Sequence, residues 1–440
     1  MEAKNNSNPD DTRQVKASPT QNGAAFQKQY LVHDLQAGVI TGVMAIPLSI
    51  GIAMMSSYPI KVGLATVAFA CFIGWINAWF RPGNYVGTPG IAAGLAPVLA
   101  LGVATFGLQN MAFIVFLTSL MQAVIWRYNW QRYILQAVPT YLVEGLLAGI
   151  GAKIATKFFT FTYELPPDQV TELFWSAERI RMTGISFAAF ALFVVLFIKC
   201  RKINPAIPYF TLIIGGILLA MVYRVPMIQV EDTPLRLVLP LPDFAGVKIW
   251  VLAIGFSAML AAIDVIEQVM SNAAIEKIDP LKRKCNSNNS LMAIWIANIG
   301  SSFFGGMTNL DGLAKSTTNA LAGAHTKFSV LIVGIVVSFF VINSHHLELL
   351  PKFALAAIMI FTGWKMILGL LHVACFGRYP LMLAILCAIL VYRLGIFEGL
   401  LLALAVHGVV SYVVYRQGRK HSTKEIIEKF LKKFNESSSY

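Results

Sequence analysis

The strongest constraint on this chain is a series of apolar runs, most of them about 17–24 residues long, recurring from residue 35 to residue 416. As helix, each run covers a hydrocarbon core roughly 30 Å thick. Lipid offers the backbone no hydrogen-bond partner, so such runs must be helical unless they face protein or a water-filled cavity. Composition points the same way. Of the 440 residues 57% are hydrophobic and 13% charged, where a soluble domain has about 45–50% and about 25%. Mean hydropathy is +0.65. The chain reads as an all-α polytopic membrane protein whose closely spaced spans leave no room for a soluble catalytic domain.

Setting apolar runs against loop signals predicts about 14 transmembrane helices, near 35–56, 60–80, 87–102, 108–127, 137–157, 182–199, 206–224, 248–271, 290–305, 308–323, 328–344, 352–373, 379–394 and 396–416. The net charge of +13 does not imply nucleic acid, because Lys and Arg gather in alternate loops: Arg127 and Arg132; Lys199, Arg201 and Lys202; Lys282, Arg283 and Lys284; Lys327; Arg378; Arg416, Arg419 and Lys420. Anionic membrane lipids are the expected partner. The longest opposite loop carries Glu164, Asp168, Glu172 and Glu178. An even span count with both termini cytoplasmic puts every basic cluster on one face, as expected of a multi-pass protein of the cell (inner) membrane. Residues 1–30 are polar without an apolar h-region, hence a disordered cytoplasmic tail rather than a signal peptide. Residues 417–440 form a short basic tail, in which Ile426, Ile427, Phe430, Leu431 and Phe434 recur at helical spacing, either an amphipathic surface helix or a solvated segment. Cys71, Cys200, Cys285, Cys375 and Cys387 are too scattered for a disulfide or zinc framework.

Two features are expensive in a bilayer. Asp264 sits mid-span, where a carboxylate costs about 2.5–3.5 kcal/mol on insertion scales. The third span is broken at Gly87-Thr88-Pro89-Gly90-Ile91-Ala92-Ala93-Gly94. Thr88-Pro89-Gly90 can start a half-helix whose free N–H groups at Gly90, Ile91 and Ala92 would attract an anion; a Pro kink with small residues packed on a neighbour is the alternative. The tenth span, Thr308-Asn309-Leu310-Asp311-Gly312-Leu313-Ala314-Lys315-Ser316, is too polar to face lipid. Lys315 follows Asp311 at i,i+4, so it either neutralises that carboxylate or lends positive potential to an anion. The two short spans lie seven spans apart, the spacing of a 7+7 inverted repeat with its site between paired discontinuous helices. In the eighth span Asp264 and Gln268 share a face at i,i+4, with Glu267 beside them, a set able to hold Na+ or H+ or to bond across the bundle. Glu144 reads as a helix-end or packing residue, and His345, His346 and His407 lack partners at metal-ligand spacing. No nucleophile–base or metal constellation appears, so the chain is not expected to be an enzyme, and no cofactor or metal is expected.

At these residues the chain resembles the SulP family of anion transporters. Asp34-Leu35-Gln36-Ala37-Gly38 through Ala45-Ile46-Pro47-Leu48-Ser49-Ile50 is similar to the family's opening span, and Val86-Gly87-Thr88-Pro89 to the start of its third helix. Phe304-Gly305-Gly306, Lys315-Ser316, Asn319 and Ala322-Gly323-Ala324-His325-Thr326 match its most specific pattern, preceded by Ile278-Asp279-Pro280. The resemblance implies a transporter domain over residues 31–416, with a core at about 31–127 and 248–344 and a gate at about 137–224 and 352–416. It places the anion between the third and tenth half-helices, near Ser49, Thr88, Gly90, Ile91, Ala92, Gly312, Leu313, Ala314, Lys315 and Ser316. Asp264 takes the place of the eighth-helix acidic residue that helps bind Na+ in some members, and Lys315 that of the tenth-helix Arg. Gln268, Asp311 and Thr308 complete the coupling-ion candidates. Leu48, the inserted Thr88, Asp311 and Gln268 depart from the family pattern. About 24 residues follow Arg416, too few for the family's cytoplasmic STAS domain, as in a bacterial branch associated with bicarbonate. The expectation is a secondary active transporter of a small inorganic anion, bicarbonate with Na+ or H+ coupling first and sulfate next, working as an elevator and able to form a homodimer. A nucleobase or organic anion carrier of the same fold and an uncoupled anion channel are the alternatives.

Overall fold

The computed structural model describes residues 24–131 apart from Ala93, 139–163, 234–418 apart from Val238 and Gly395, and isolated residues between 181 and 230. Half of the sixth predicted span, most of the seventh, most of the long acidic loop and the C-terminal amphipathic stretch fall outside the described residues.

The described elements are α1 (Leu31–Met55), α2 (Ile60–Phe80), β1 (Pro89–Gly90), α3 (Ala96–Phe106), α4 (Leu108–Arg127), α5 (Thr140–Tyr163), α6 (Val247–Ile278), α7 (Ser287–Ser302), β2 (Leu310–Asp311), α8 (Leu313–Leu321), α9 (Phe328–Ile342), α10 (Lys352–Val373), α11 (Arg378–Arg393) and α12 (Ile396–Gly418). Four of the helical stretches, Lys28–Met55, Ile60–Phe80, Leu108–Arg127 and Val247–Ala273, are long and apolar enough to cross a membrane by themselves.

Small residues set the closest helix contacts. A side chain at Gly38 or Gly42 of α1 would overlap Ile332 or Val336 of α9, so bare backbone lets these helices touch. In α5, Gly145 and Gly149 meet Ala384 and Val391 of α11, while Gly151 meets Gly363 of α10. Packing falls into two groups. α1, α2, α4 and α6–α9 pack among themselves, and α5 packs with α10, α11 and α12. α1 reaches across to α10.

The two short spans break as strand followed by helix. β1 and β2 pair antiparallel, Pro89 opposite Asp311 and Gly90 opposite Leu310. Here the third span departs from expectation. Its helix starts at Ala96, with Pro97 in the first turn, rather than at Thr88-Pro89-Gly90. Gly90, at φ +148°, holds an extended conformation that a helix start cannot use. The tenth span's helix begins at Leu313 with Gly312 as its N-cap.

Residues 24–30, assigned by sequence to the disordered tail, are packed. Ala24 and Ala25 are buried, the Lys327 N–H donates to Ala24 O at 2.9 Å, and Tyr30 stacks on His325 at 4.2 Å between ring centroids.

Candidate functional site

The backbone crossing of β1 and β2 is pinned from several directions. Gly312 N–H donates to Thr88 O at 3.1 Å, and Thr88 N–H donates to Ser316 Oγ at 2.9 Å. Asn319 Nδ2 donates to Val86 O at 3.0 Å, and Lys327 Nζ donates to Gly87 O. Three consecutive residues at the start of the third span, Val86, Gly87 and Thr88, thus rest on α8, its N-cap and the start of α9. The arrangement satisfies backbone groups that a broken span would leave orphaned in lipid.

Lys315 lies at the centre. It is the largest fully buried side chain among the described residues. Its stem folds back over Gly312, the N-cap of its own helix, and a Cβ on Gly90 would overlap its Nζ. Nζ donates to Ile91 O at 3.4 Å, and among the described residues no carboxylate lies within ion-pair distance. The expected i,i+4 pair with Asp311 does not form. Asp311 belongs to β2, before the helix begins, so helical spacing does not apply to it. Asp311 instead faces Lys327, Oδ1 to Nζ 3.9 Å, and its Oδ2 accepts from Asn84 Nδ2 at 2.8 Å and Gln268 Nε2 at 2.7 Å.

Of the other anion-site candidates, Ser49 and Thr88 are fully buried with hydroxyls that have no partner among the described residues, and Ile91 and Ala92 are buried beside the crossing. Gly90 is held in β1 opposite Leu310. Leu313, at the first turn of α8, is 45% exposed, with Ala314 half-buried behind it. Ser316 Oγ turns back to Gly312 O at 2.8 Å.

The coupling-ion candidates separate into two clusters. Gln268 and Asp311 form one, reciprocally bonded, since Asp311 N–H also donates to Gln268 Oε1 at 2.7 Å. Asp264 faces elsewhere, and the shared helix face does not bring it to Gln268's partner. Its Oδ2 accepts from Gln122 Nε2 of α4 at 2.5 Å and from Asn298 Nδ2 of α7 at 3.4 Å. Asn298 Oδ1 in turn accepts from the Asn309 N–H at 2.7 Å, next to Thr308. Among the described residues, Asp264 Oδ1, Thr308 Oγ1 and Asn309 Oδ1 are buried oxygens without partners.

Sequence reading missed Gln122, Asn298, Asn84 and Lys327. The first two are amides inside apolar runs, and that position was their signal. Lys327 looked like a loop charge. His407 meets Tyr379 at 3.1 Å and Tyr141 at 3.3 Å, and Glu144 packs against Gly369.

The family model for the sulfate permease family matches residues 31–389. The chain belongs to this family. Similar members include two Bacillus subtilis (strain 168) proteins. “Putative sulfate transporter YvdB” is 24% identical over 356 residues, covering 78% of this chain and 66% of its own, and “Putative sulfate transporter YbaR” is 23% identical over 391 residues, covering 84% and 75%. This sulfate permease family chain therefore spans just under two thirds of YvdB's length. Among solved structures, the transmembrane domain of the cyanobacterial bicarbonate transporter BicA superimposes with TM-score 0.68 at 17% identity, covering 87% of this chain and 98% of that one. Murine Slc26a9, an anion transporter in the inward-facing state, gives 0.70 at 15% identity over 89% and 69%. The fold is that of these all-α, multi-pass membrane domains, and the named relatives are transporters rather than enzymes.

Proposed function

We propose that this member of the sulfate permease family is a secondary active transporter of a small inorganic anion, bicarbonate first and sulfate next, held between the N-termini of α3 and α8. The observation that carries this reading is Lys315: a fully buried ammonium, without a carboxylate in reach among the described residues, where two half-helices begin. A buried cation is costly unless an opposite charge meets it. The half-helix ends and the unpartnered hydroxyls of Ser49 and Thr88 add donors suited to an oxyanion. Pairing of Asp311 with Lys327 leaves the Lys315 charge for the anion. Bicarbonate is favoured by the likeness to BicA's transmembrane domain, sulfate by the names of the Bacillus relatives.

Asp264 Oδ1, Thr308 Oγ1 and Asn309 Oδ1, linked through Asn298, make an oxygen-rich cluster suited to Na+, with H+ on Asp264 as the other coupling choice. The α1–α4 and α6–α9 group would carry both sites past the α5 and α10–α12 group in an elevator-like step, in a cell (inner) membrane with both termini cytoplasmic, either alone or as a homodimer. The test is uptake of labelled bicarbonate and sulfate into proteoliposomes, with and without Na+ and pH gradients. Lys315→Gln should abolish uptake, and Asp264→Asn should remove its Na+ dependence. Unchanged uptake by Lys315→Gln would refute the anion site.

A further inference from the structure

The chain leading into α6 is fixed at two places, one on each helix group. Met227 bridges to Pro351, the N-cap of α10, and the Ile228 N–H donates to Leu350 O at 3.1 Å. Further on, the Asp243 N–H donates to Asn110 Oδ1 of α4 at 2.9 Å. The Phe244 ring meets Phe113 of α4 and Trp250 of α6 edge-on, at 5.9 and 5.5 Å between centroids. The stretch between these anchors therefore ties one group to the other.

Its composition is unlike that of a water-exposed loop. Residues 234–242 read Pro-Leu-Arg-Leu-Val-Leu-Pro-Leu-Pro, with Arg236 the one charge. Leu237, Leu239 and Leu241 are 90%, 71% and 73% exposed, and Leu235 is exposed as well. Exposed apolar side chains are ordinary singly, but four on one short segment mark a contact surface. The three prolines supply no N–H and oppose helix, and the described residues here form neither helix nor strand. Among those residues, the one backbone hydrogen bond runs from the Leu241 N–H to Leu239 O at 2.8 Å.

These properties choose the surroundings. Backbone groups without partners keep the segment out of hydrocarbon, whereas its leucines disfavour bulk water. The lipid–water interface meets both demands, and α6 places the segment at that level. The apolar stretch Val247–Ala273 is 27 residues long, about 40 Å of helix against a roughly 30 Å core. Its first turn carries Lys248 and Trp250, residue types of the headgroup zone. Val247 and Val251, 79% and 65% exposed, continue the apolar surface into the span.

We propose that Leu235, Leu237, Leu239 and Leu241 insert into the phospholipid leaflet at the N-terminal end of α6 and make this link a lipid-seated tether between the two helix groups. Arg236 reaches headgroup phosphate. A seated link has fewer conformations to lose each time the groups realign, so the rate of the transport cycle depends on the leucines while anion affinity does not. That kinetic role rests on the transport reading; the lipid contact does not.

The experiment incorporates photo-leucine, reconstitutes the protein in phosphatidylethanolamine–phosphatidylglycerol vesicles, irradiates, and reads tryptic peptides by mass spectrometry. The peptide from Leu237 to Lys248 should carry phospholipid adducts on its leucines, as exposed Leu252 of α6 should. The triple variant Leu237→Ser, Leu239→Ser and Leu241→Ser should lower Vmax for bicarbonate and sulfate uptake several-fold with KM unchanged. The same three positions changed Leu→Met, still apolar, should keep Vmax. Water adducts alone at these leucines, or cross-links to another segment or a second copy of this chain, would overturn the lipid seat. Unchanged Vmax in the Leu→Ser triple, or an equal loss in the Leu→Met triple, would overturn the tether. Absence of uptake by wild type would instead defeat the transport reading, and the adducts would still decide the lipid contact.

Discussion

Asp311 answers to Lys327 rather than to Lys315, and this can be measured as a coupling energy. At 3.9 Å, two unit charges in surroundings of effective dielectric near 20 attract by about 4 kcal/mol. Both side chains are nearly fully buried. Asp311→Asn keeps the shape and leaves Lys327 with Gly87 O as its described hydrogen-bond acceptor, a stranded buried charge that should cost about 3–5 kcal/mol. Lys327→Met alone leaves Asp311 ionised with donors from Asn84 and Gln268, and should cost somewhat less. The double variant removes both charges and should recover about 1–3 kcal/mol of the summed loss. Asp311→Asn with Lys315→Met should recover little. Unfolding would be followed by tryptophan fluorescence in mixed micelles of rising SDS content, with these four variants and single Lys315→Met in one detergent series. Coupling between 311 and 315 that equals or exceeds coupling between 311 and 327 would refute the assignment of charges, and with it the claim that Lys315 is left for an anion.

Gly90→Ala and Gly323→Ala should both destabilise by about 1–3 kcal/mol, since both need positive φ; only Gly90→Ala displaces Lys315 Nζ, so it alone should lose anion uptake while Gly323→Ala, whose Cβ would meet His33 at an ordinary 3.9 Å, keeps it. In the loop between α6 and α7, burial, aided by Glu276 and Asp311, pushes the Cys285 thiol up to about 12. Since the thiolate is what reacts, maleimide near neutral pH should label exposed Cys375 while Cys285 lags by about a thousandfold, a gap that unfolding in SDS closes and that peptide mass spectrometry reads.

Much of the architecture was legible because lipid leaves so few choices. The second and fourth spans, expected at 60–80 and 108–127, have those bounds in the structure, where uninterrupted apolar runs meet clear stops. The broken third and tenth spans were visible as breaks, but their inner geometry was not. Pro89 and Pro97 both suit a first helical turn, and local sequence alone does not choose between them. The choice comes from β2, more than 200 residues away, which draws Pro89 and Gly90 into a strand. The same event undid the i,i+4 argument for Asp311 and Lys315, because periodicity holds only inside a helix. Asn84, Gln268 and Lys327 reach Asp311 from three separate elements, a convergence that spacing along the chain does not encode.

The pairing of β1 with β2 also sets a timetable for biogenesis. Pro89 must wait for Asp311, and ribosomes adding about 5–20 residues per second need roughly 10–45 s to make the intervening chain. Throughout that interval the third span enters the membrane without the partner that satisfies its break, and without the α8 groups that later hold Val86 and Thr88. Nascent chains halted before residue 310 should therefore leave this segment near the membrane surface or in the hands of insertion factors. The transport site is thus a late product of synthesis, and mutations in the second half of the chain will show first as misinsertion of the first.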